Sequence, residues 1–183
     1  MEIPELLDRC RRGDELAWEA LVRRFQGRIY GLAFHYTGNA EEARDLAQDI
    51  FIRLYRRLDA CTNDDTFVPW LIRMARNACI DRLRRIKARP QGGPTPVDEM
   101  YDLPAPGPDP SEEWRTKKRR NLVHQAMQKL SEINREIIVL KEIQGLTFDE
   151  IASILKVPVG TVKSRSNRAR TDLARELVAM TRG

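Results

Sequence analysis

Seven of the ten prolines and three of the ten glycines fall between Ala88 and Glu113. Proline lacks a backbone donor and disfavours helix in the residue before it, so this stretch reads as an extended, partly polyproline linker. It separates segments 1–87 and 114–183, each long enough for one small domain. Charge follows the same division. Segment 1–87 carries 16 basic and 14 acidic residues, the linker 1 and 6, and segment 114–183 carries 15 and 7. A small basic domain on an acidic tether points to nucleic acid as a partner, although basic faces are often merely solvated.

Composition removes several classes. Apolar residues make up 42% of the chain, enough for a core and too many for wholesale disorder. The longest aliphatic run, Ile137 to Leu140, is far short of the ~18 residues a membrane span needs, and the start of the chain is acidic where a signal peptide is basic and then apolar. A cytoplasmic protein with no membrane insertion is expected. Cys10, Cys61 and Cys79 are odd in number and lack C-x-x-C spacing, so buried reduced thiols are expected rather than disulfides or a zinc site. The sequence has no paired-carboxylate metal motif and no Gly-rich phosphate loop, and His35 and His124 lie in different segments. No catalytic residue, cofactor or metal is therefore expected, which disfavours a DNA-directed enzyme.

Period-two alternation is absent while helical periodicity is strong, so the expected fold is all-α, with two small helical domains. A helix over about Glu15–Tyr36 packs through Leu21, Val22, Phe25, Ile29, Leu32 and Ala33 and stops at Gly38. Asn39 and Glu42 read as a capping box opening the next helix. Along it Ala43, Leu46, Ala47, Ile50, Phe51, Leu54 and Leu58 form one apolar stripe. The opposite face presents Asp45, Gln48, Asp49, Ile52 and Arg56. Ile52 is either an ordinary isolated exposed isoleucine or the centre of a docking patch for a basic partner helix.

A helix from Val68 or Trp70 to Lys87 buries Leu71, Met74, Ala75, Ala78, Cys79, Leu83 and Ile86 and gathers Arg73, Arg76, Asn77, Arg84 and Lys87 on its other side. That side suits a phosphate track. The polar loop before it, with Cys61, Thr62, Asn63 and Phe67, could hold an unstacked base. Phe67 and Trp70 equally suit a core that closes the helix end.

In the C-terminal segment a helix is expected from Glu113 to Leu130, beginning with the basic cluster Lys117 to Arg120. A second, over Ser131–Gln144, turns Ile133, Ile137, Leu140 and Ile143 inward and ends at Gly145. Thr147 and Glu150 form a capping box, the Val157 to Gly160 turn follows, and a last helix runs to about Met180. This is a helix-turn-helix pattern. On the last helix Val162, Ser166, Ala169 and Leu173 make a small-residue stripe, while Lys163, Ser164, Asn167, Arg168 and Thr171 face away. Those outward side chains are of the types that read base edges, and Arg165 and Arg170 on the flanks suit phosphates.

The ordered set of motifs resembles the extracytoplasmic-function sigma factors of bacterial RNA polymerase. It runs from Asp45 through Phe51, from Phe67 through Asn77 with Asp81 to Arg84, from Gly145 through Ala152, and from Pro158 through Arg170. The resemblance covers both domains. It implies that residues 1–87 dock on the clamp helices of the largest polymerase subunit through Asp45, Gln48, Asp49 and Ile52. It implies that Asn77, with Arg73, Arg76, Arg84 and the loop residues Cys61, Thr62, Asn63 and Phe67, captures a flipped base of the minus-ten element. Segment 114–183 would read the minus-thirty-five element through Lys163, Ser164, Asn167 and Arg168, with Thr161, Arg165 and Arg170 beside them. The linker of residues 88–113, with Asp98, Glu99 and Asp102, would thread towards the active centre and RNA exit channel. An anti-sigma factor is a further implied partner. Two departures stand out. Ser131 to Asn134 replaces a Pro-rich helix start, and the loop at Cys61 to Asn63 matches no fixed pattern, which leaves the preferred base open. The alternative is a helix-turn-helix regulator that acts without being a polymerase subunit.

Overall fold

A computed structural model describes residues 1–87 and 110–182, all in helices and short connections. The chain divides into two compact units, the division falling between Tyr101 and Asp102. The linker expectations for residues 88–109, including Asp98, Glu99 and Asp102, lie outside the described residues.

The first unit contains α1 (Ile3–Arg11), α2 (Glu15–Thr37), α3 (Ala40–Arg57) and α4 (Phe67–Lys87). Helix α1 was not expected from the sequence. Pro4 opens it, where a missing backbone donor costs nothing, and Leu6, Leu7 and Cys10 are buried. Asp14 caps α2 by accepting from the Leu16 and Ala17 amides at 3.0 and 3.1 Å. Gly38 ends α2 in the left-handed region at φ 66°, donating to the Phe34 carbonyl. Asn39 Oδ1 then accepts from the Glu42 amide at 2.9 Å, as expected for the start of α3. The α3 stripe is buried from Ala43 to Leu58, except that Phe51 is only half-buried. Val22 of α2 is half-buried too.

The second unit contains α5 (Pro110–Lys129), α6 (Glu132–Ile138), α7 (Phe148–Leu155) and α8 (Val159–Arg182). Residues 110–113, expected to belong to the linker, are helical. Proline is well tolerated in the first turn of a helix, so Pro110 can start α5 rather than prevent it. Ser131 at the start of α6 forms no side-chain cap. Arg135 instead closes the preceding helix, donating to the carbonyls of Met127, Gln128 and Leu130 at 2.9, 3.0 and 3.1 Å.

The expectation that Ile143 faces inward is corrected. Val139–Ile143 is a π-turn, with the Gln144 amide donating to the Val139 carbonyl at 2.9 Å. The wider turn rotates less per residue. Ile143 is consequently 59% exposed and Gln144 only 1%. Gly145 follows at φ 67°, and the Leu146 amide donates to the Leu140 carbonyl at 3.1 Å. The capping box at α7 forms as expected: the Glu150 amide donates to Thr147 Oγ1 at 3.2 Å and the Thr147 amide to Glu150 Oε2 at 2.7 Å.

Candidate nucleic-acid interface

Arg73, Asn77 and Asp81 recur every fourth residue on α4, so they stack along one side of that helix. They line a cavity of about 640 Å³ whose other wall is Arg53, Arg56 and Arg57 of α3, with Trp70 and Ala60 also contributing. Four arginines against one aspartate make it electropositive. Asn77 is exposed within it, offering neutral donors and acceptors among cations, and Trp70 is half-buried, offering part of its ring. The three α3 arginines were missed as site residues. Their signal was available, since the 53, 56, 57 spacing is that of one helix face.

The structure does not join the expected loop residues to Asn77. Thr62 and Asn63 are exposed, and they line a second cavity of about 520 Å³ together with Arg11, Asp59, Asp64 and Asp65. Asn63 shapes its own turn: Oδ1 accepts from the Asp65 amide at 3.0 Å and its carbonyl accepts from Thr66 Oγ1 at 2.9 Å.

Two expected base contacts are corrected. Phe67 is fully buried, its ring edge-on to Phe25 at 5.5 Å, because it plugs the start of α4. Cys61 is buried with its thiol towards the Asn63 carbonyl at 3.5 Å. Neither side chain can reach a base. Burial pushes the Cys61 thiol up and those of Cys10 and Cys79 to about 11 and about 12. All three cysteines are free and buried, as expected. Of the remaining α4 cations, Arg84 is exposed and Arg76 half-buried, and neither lines the cavity.

The α8 projection holds closely. Val162, Ser166 and Ala169 are fully buried while Lys163, Ser164, Asn167, Arg168 and Thr171 are exposed. Thr161 and Arg165 are half-buried. Ser164 Oγ donates to the Thr161 carbonyl at 3.0 Å, which fixes the hydroxyl and leaves its lone pairs outward. Arg170, expected to meet phosphate, is exposed and pairs with Glu142: its Nε donates to Glu142 Oε1 at 2.9 Å. The π-turn carrying Glu142 is thereby tied to α8.

On α3, Asp45, Gln48 and Asp49 are exposed and Ile52 is 49% exposed, so all four share the solvent face. Tyr55, one turn on, is also exposed and packs against Trp18 with ring centroids 4.9 Å apart. It extends the apolar centre of that face.

Family models place these features. Residues 21–89 match sigma-70 region 2, and residues 120–173 match sigma-70 region 4. The chain is 35% identical to the RNA polymerase sigma-H factor of Pseudomonas aeruginosa, covering 97% of this chain and 95% of that protein. It is 34% identical to the sigma factor SigW of Bacillus subtilis, covering 97% of each. The chain is an extracytoplasmic-function sigma factor. Among solved structures, CnrH in complex with the cytosolic domain of CnrY is similar at TM-score 0.67 and 26% identity, covering 97% of each chain. The sigma factor RpoE of Bartonella quintana, in complex with the anti-sigma factor NepR, shares the fold at TM-score 0.67, covering 87% of this chain and 95% of its own. A sigma factor binds core RNA polymerase and directs promoter-specific initiation, so the family decides against a regulator acting apart from polymerase. None of the matching families is enzymatic. Among the described residues no helix is long and apolar enough to cross a membrane.

Proposed function

We propose that this sigma factor divides promoter recognition between its two units as follows. Residues 1–87 act as region 2: the α3 face of Asp45, Gln48, Asp49 and Ile52 docks on the clamp helices of the largest polymerase subunit. The basic cavity around Asn77 takes the unpaired minus-ten strand, with Arg73 and the α3 arginines on its phosphates. The loop at Thr62 and Asn63 selects the flipped base from the neighbouring cavity. Residues 110–183 act as region 4, in which Lys163, Ser164, Asn167 and Arg168 read the minus-thirty-five element. An anti-sigma factor restrains the protein, as NepR partners the Bartonella quintana relative, and the setting is the cytoplasm.

The observation that carries this reading is α8. Its buried stripe of small residues and its exposed row of Lys163, Ser164, Asn167 and Arg168 present base-reading side chains on a helix that packs closely behind them. In vitro transcription with core polymerase tests it. The holoenzyme should start transcripts from a common pair of upstream and downstream elements, while the free protein binds duplex DNA weakly. Tight, sequence-specific binding of the free protein to a palindrome would contradict the reading, because neither unit offers dimer symmetry.

A further inference from the structure

Loop 61–66 is short and polar, and most of its side chains are exposed. Its internal hydrogen bonds around Asn63 define its shape but do not fix it against the rest of the unit. Beside the buried Cys61 side chain, the loop is tied to the rest of the unit by one charged side chain 50 residues earlier. Arg11, at the end of α1, donates from one guanidinium nitrogen to Asp64 Oδ2 at 3.1 Å. From the other it donates to Asp64 Oδ1 at 2.6 Å and to the Cys61 carbonyl at 2.8 Å. The fork grips a carboxylate and a backbone oxygen on either side of Thr62 and Asn63. The Arg11 and Asp64 side chains are 27% and 25% exposed, so the pair lies at the surface of the unit.

Such an arrangement differs from an ordinary surface ion pair. A single exposed pair between mobile side chains contributes little, but a bidentate guanidinium with a third bond to backbone specifies an orientation as well as a distance. The guanidinium raises no question of protonation, and its hydrogen bond holds the Asp64 carboxyl below the usual carboxylate range. Helix α1 is itself anchored by buried Leu6, Leu7 and Cys10. The loop is therefore referenced to a fixed element. Arg11 also lines the same cavity as Thr62 and Asn63, so it borders the place where a selected base would sit.

We propose that Arg11 is a positioning residue for base selection: by clamping Asp64 and the Cys61 carbonyl it holds loop 61–66 in the one geometry that discriminates the flipped minus-ten base. The proposal rests on the reading of that loop as the base-selecting element. Discrimination needs donors and acceptors placed within a few tenths of an ångström, whereas tolerance of any base needs only space and stacking. A loosened loop should thus lose selectivity before it loses transcription.

The test is in vitro transcription by reconstituted holoenzyme on four promoters that differ only at the selected minus-ten base. Arg11→Ala should cut the preference for the best base about tenfold, the factor that 1.4 kcal/mol represents, while preference at the minus-thirty-five element is unchanged. Arg11→Lys, which keeps the charge but loses the fork, should fall between that variant and wild type. Equal loss of preference at both elements would overturn the proposal, since it would mark a general structural defect. Thr62→Ala with Asn63→Ala serves as the control for the loop itself. If that double variant changes base preference and Arg11→Ala does not, Arg11 has no positioning role and the loop reading stands. If neither changes preference, the loop reads no base and the proposal falls with it. Should thermal melting show Arg11→Ala unfolded, Asp64→Asn carries the expectation of a partial loss of preference, because it removes the charge and one acceptor and leaves the bond to the Cys61 carbonyl. Wild-type preference in a folded Asp64→Asn protein would then overturn the proposal.

Discussion

On the roles proposed above, the two units would solve recognition in opposite ways. In the second, the proposed reading surface is one face of one helix, and the fully buried residues behind it, Val162, Ser166 and Ala169, are small, while Leu173 at the end of the stripe is half-buried. In the first, the surface is assembled from α3, α4, a loop and, through Arg11, the end of α1. A rigid duplex groove accepts a single preformed face. A base taken out of the stack needs walls on several sides, and walls from several elements must be held in mutual register. One surface is defined by helical periodicity, the other by tertiary geometry.

The largest effect that would sharpen this contrast concerns the docking face, which serves both surfaces at once. Asp49→Arg with Ile52→Asp should abolish co-elution with core polymerase while leaving the circular dichroism spectrum unchanged, because both side chains are exposed. Wild-type transcription by this double variant would remove the face from the interface.

Next in size is Asn77→Ala. Unpairing a base costs a few kcal/mol that the pocket must return, so promoter opening should drop about tenfold or more, with initial binding little affected. A template premelted across the minus-ten region should partly restore activity. Normal opening would return Asn77 to the role of a solvated helix residue and leave the first unit without its central contact.

For the second unit, Arg168→Ala should cost about 1–3 kcal/mol at one or two upstream positions and relax preference only there. Arg165→Ala should weaken all promoters alike and lower the salt slope by about one unit. The two results interchanged would mean that α8 presents a different face to DNA. Arg165 is the better flank variant of the two, since Arg170 also pairs with Glu142.

The smallest effect is on stability. Ser166 is fully buried and, among the described residues, its hydroxyl has no hydrogen-bond partner. Removing a desolvated, unsatisfied polar group is favourable, so Ser166→Ala should raise the stability of the second unit by about 1 kcal/mol in urea denaturation. A loss of stability would show that the hydroxyl packs or bonds in a way that alanine cannot replace.

How far each surface could be read from sequence follows from the same contrast. The α8 face, the Asn39 and Thr147 caps and the glycine stops at 38 and 145 depend on residues within one or two turns of each other, and local spacing encodes them. Ile143 turned outward against expectation because a π-turn adds no composition signal, only a change of winding. For Cys61 burial was expected from its type and for Phe67 a core role was one of two readings; the edge-on packing of Phe67 on Phe25, which local spacing does not encode, is what withdraws it from base contact. The pairing of Arg11 with Asp64 spans 53 residues, and no pattern in a single sequence joins them. The α3 arginines were legible as a face but not as the wall of a cavity, because that needs the position of α4.

The stripe of small side chains behind α8 also acts as a spacer of fixed thickness. Every base-reading atom on the far side of the helix is displaced together if that spacer thickens. A bulkier residue at 166 or 169 would lift the whole row of Lys163, Asn167 and Arg168 outward without altering any of them. If α8 reads DNA as proposed, sequence preference in this unit would drift through substitutions that never touch DNA, set by the depth at which the helix is seated. A comparison of relatives by their outward residues alone would overlook that adjustment.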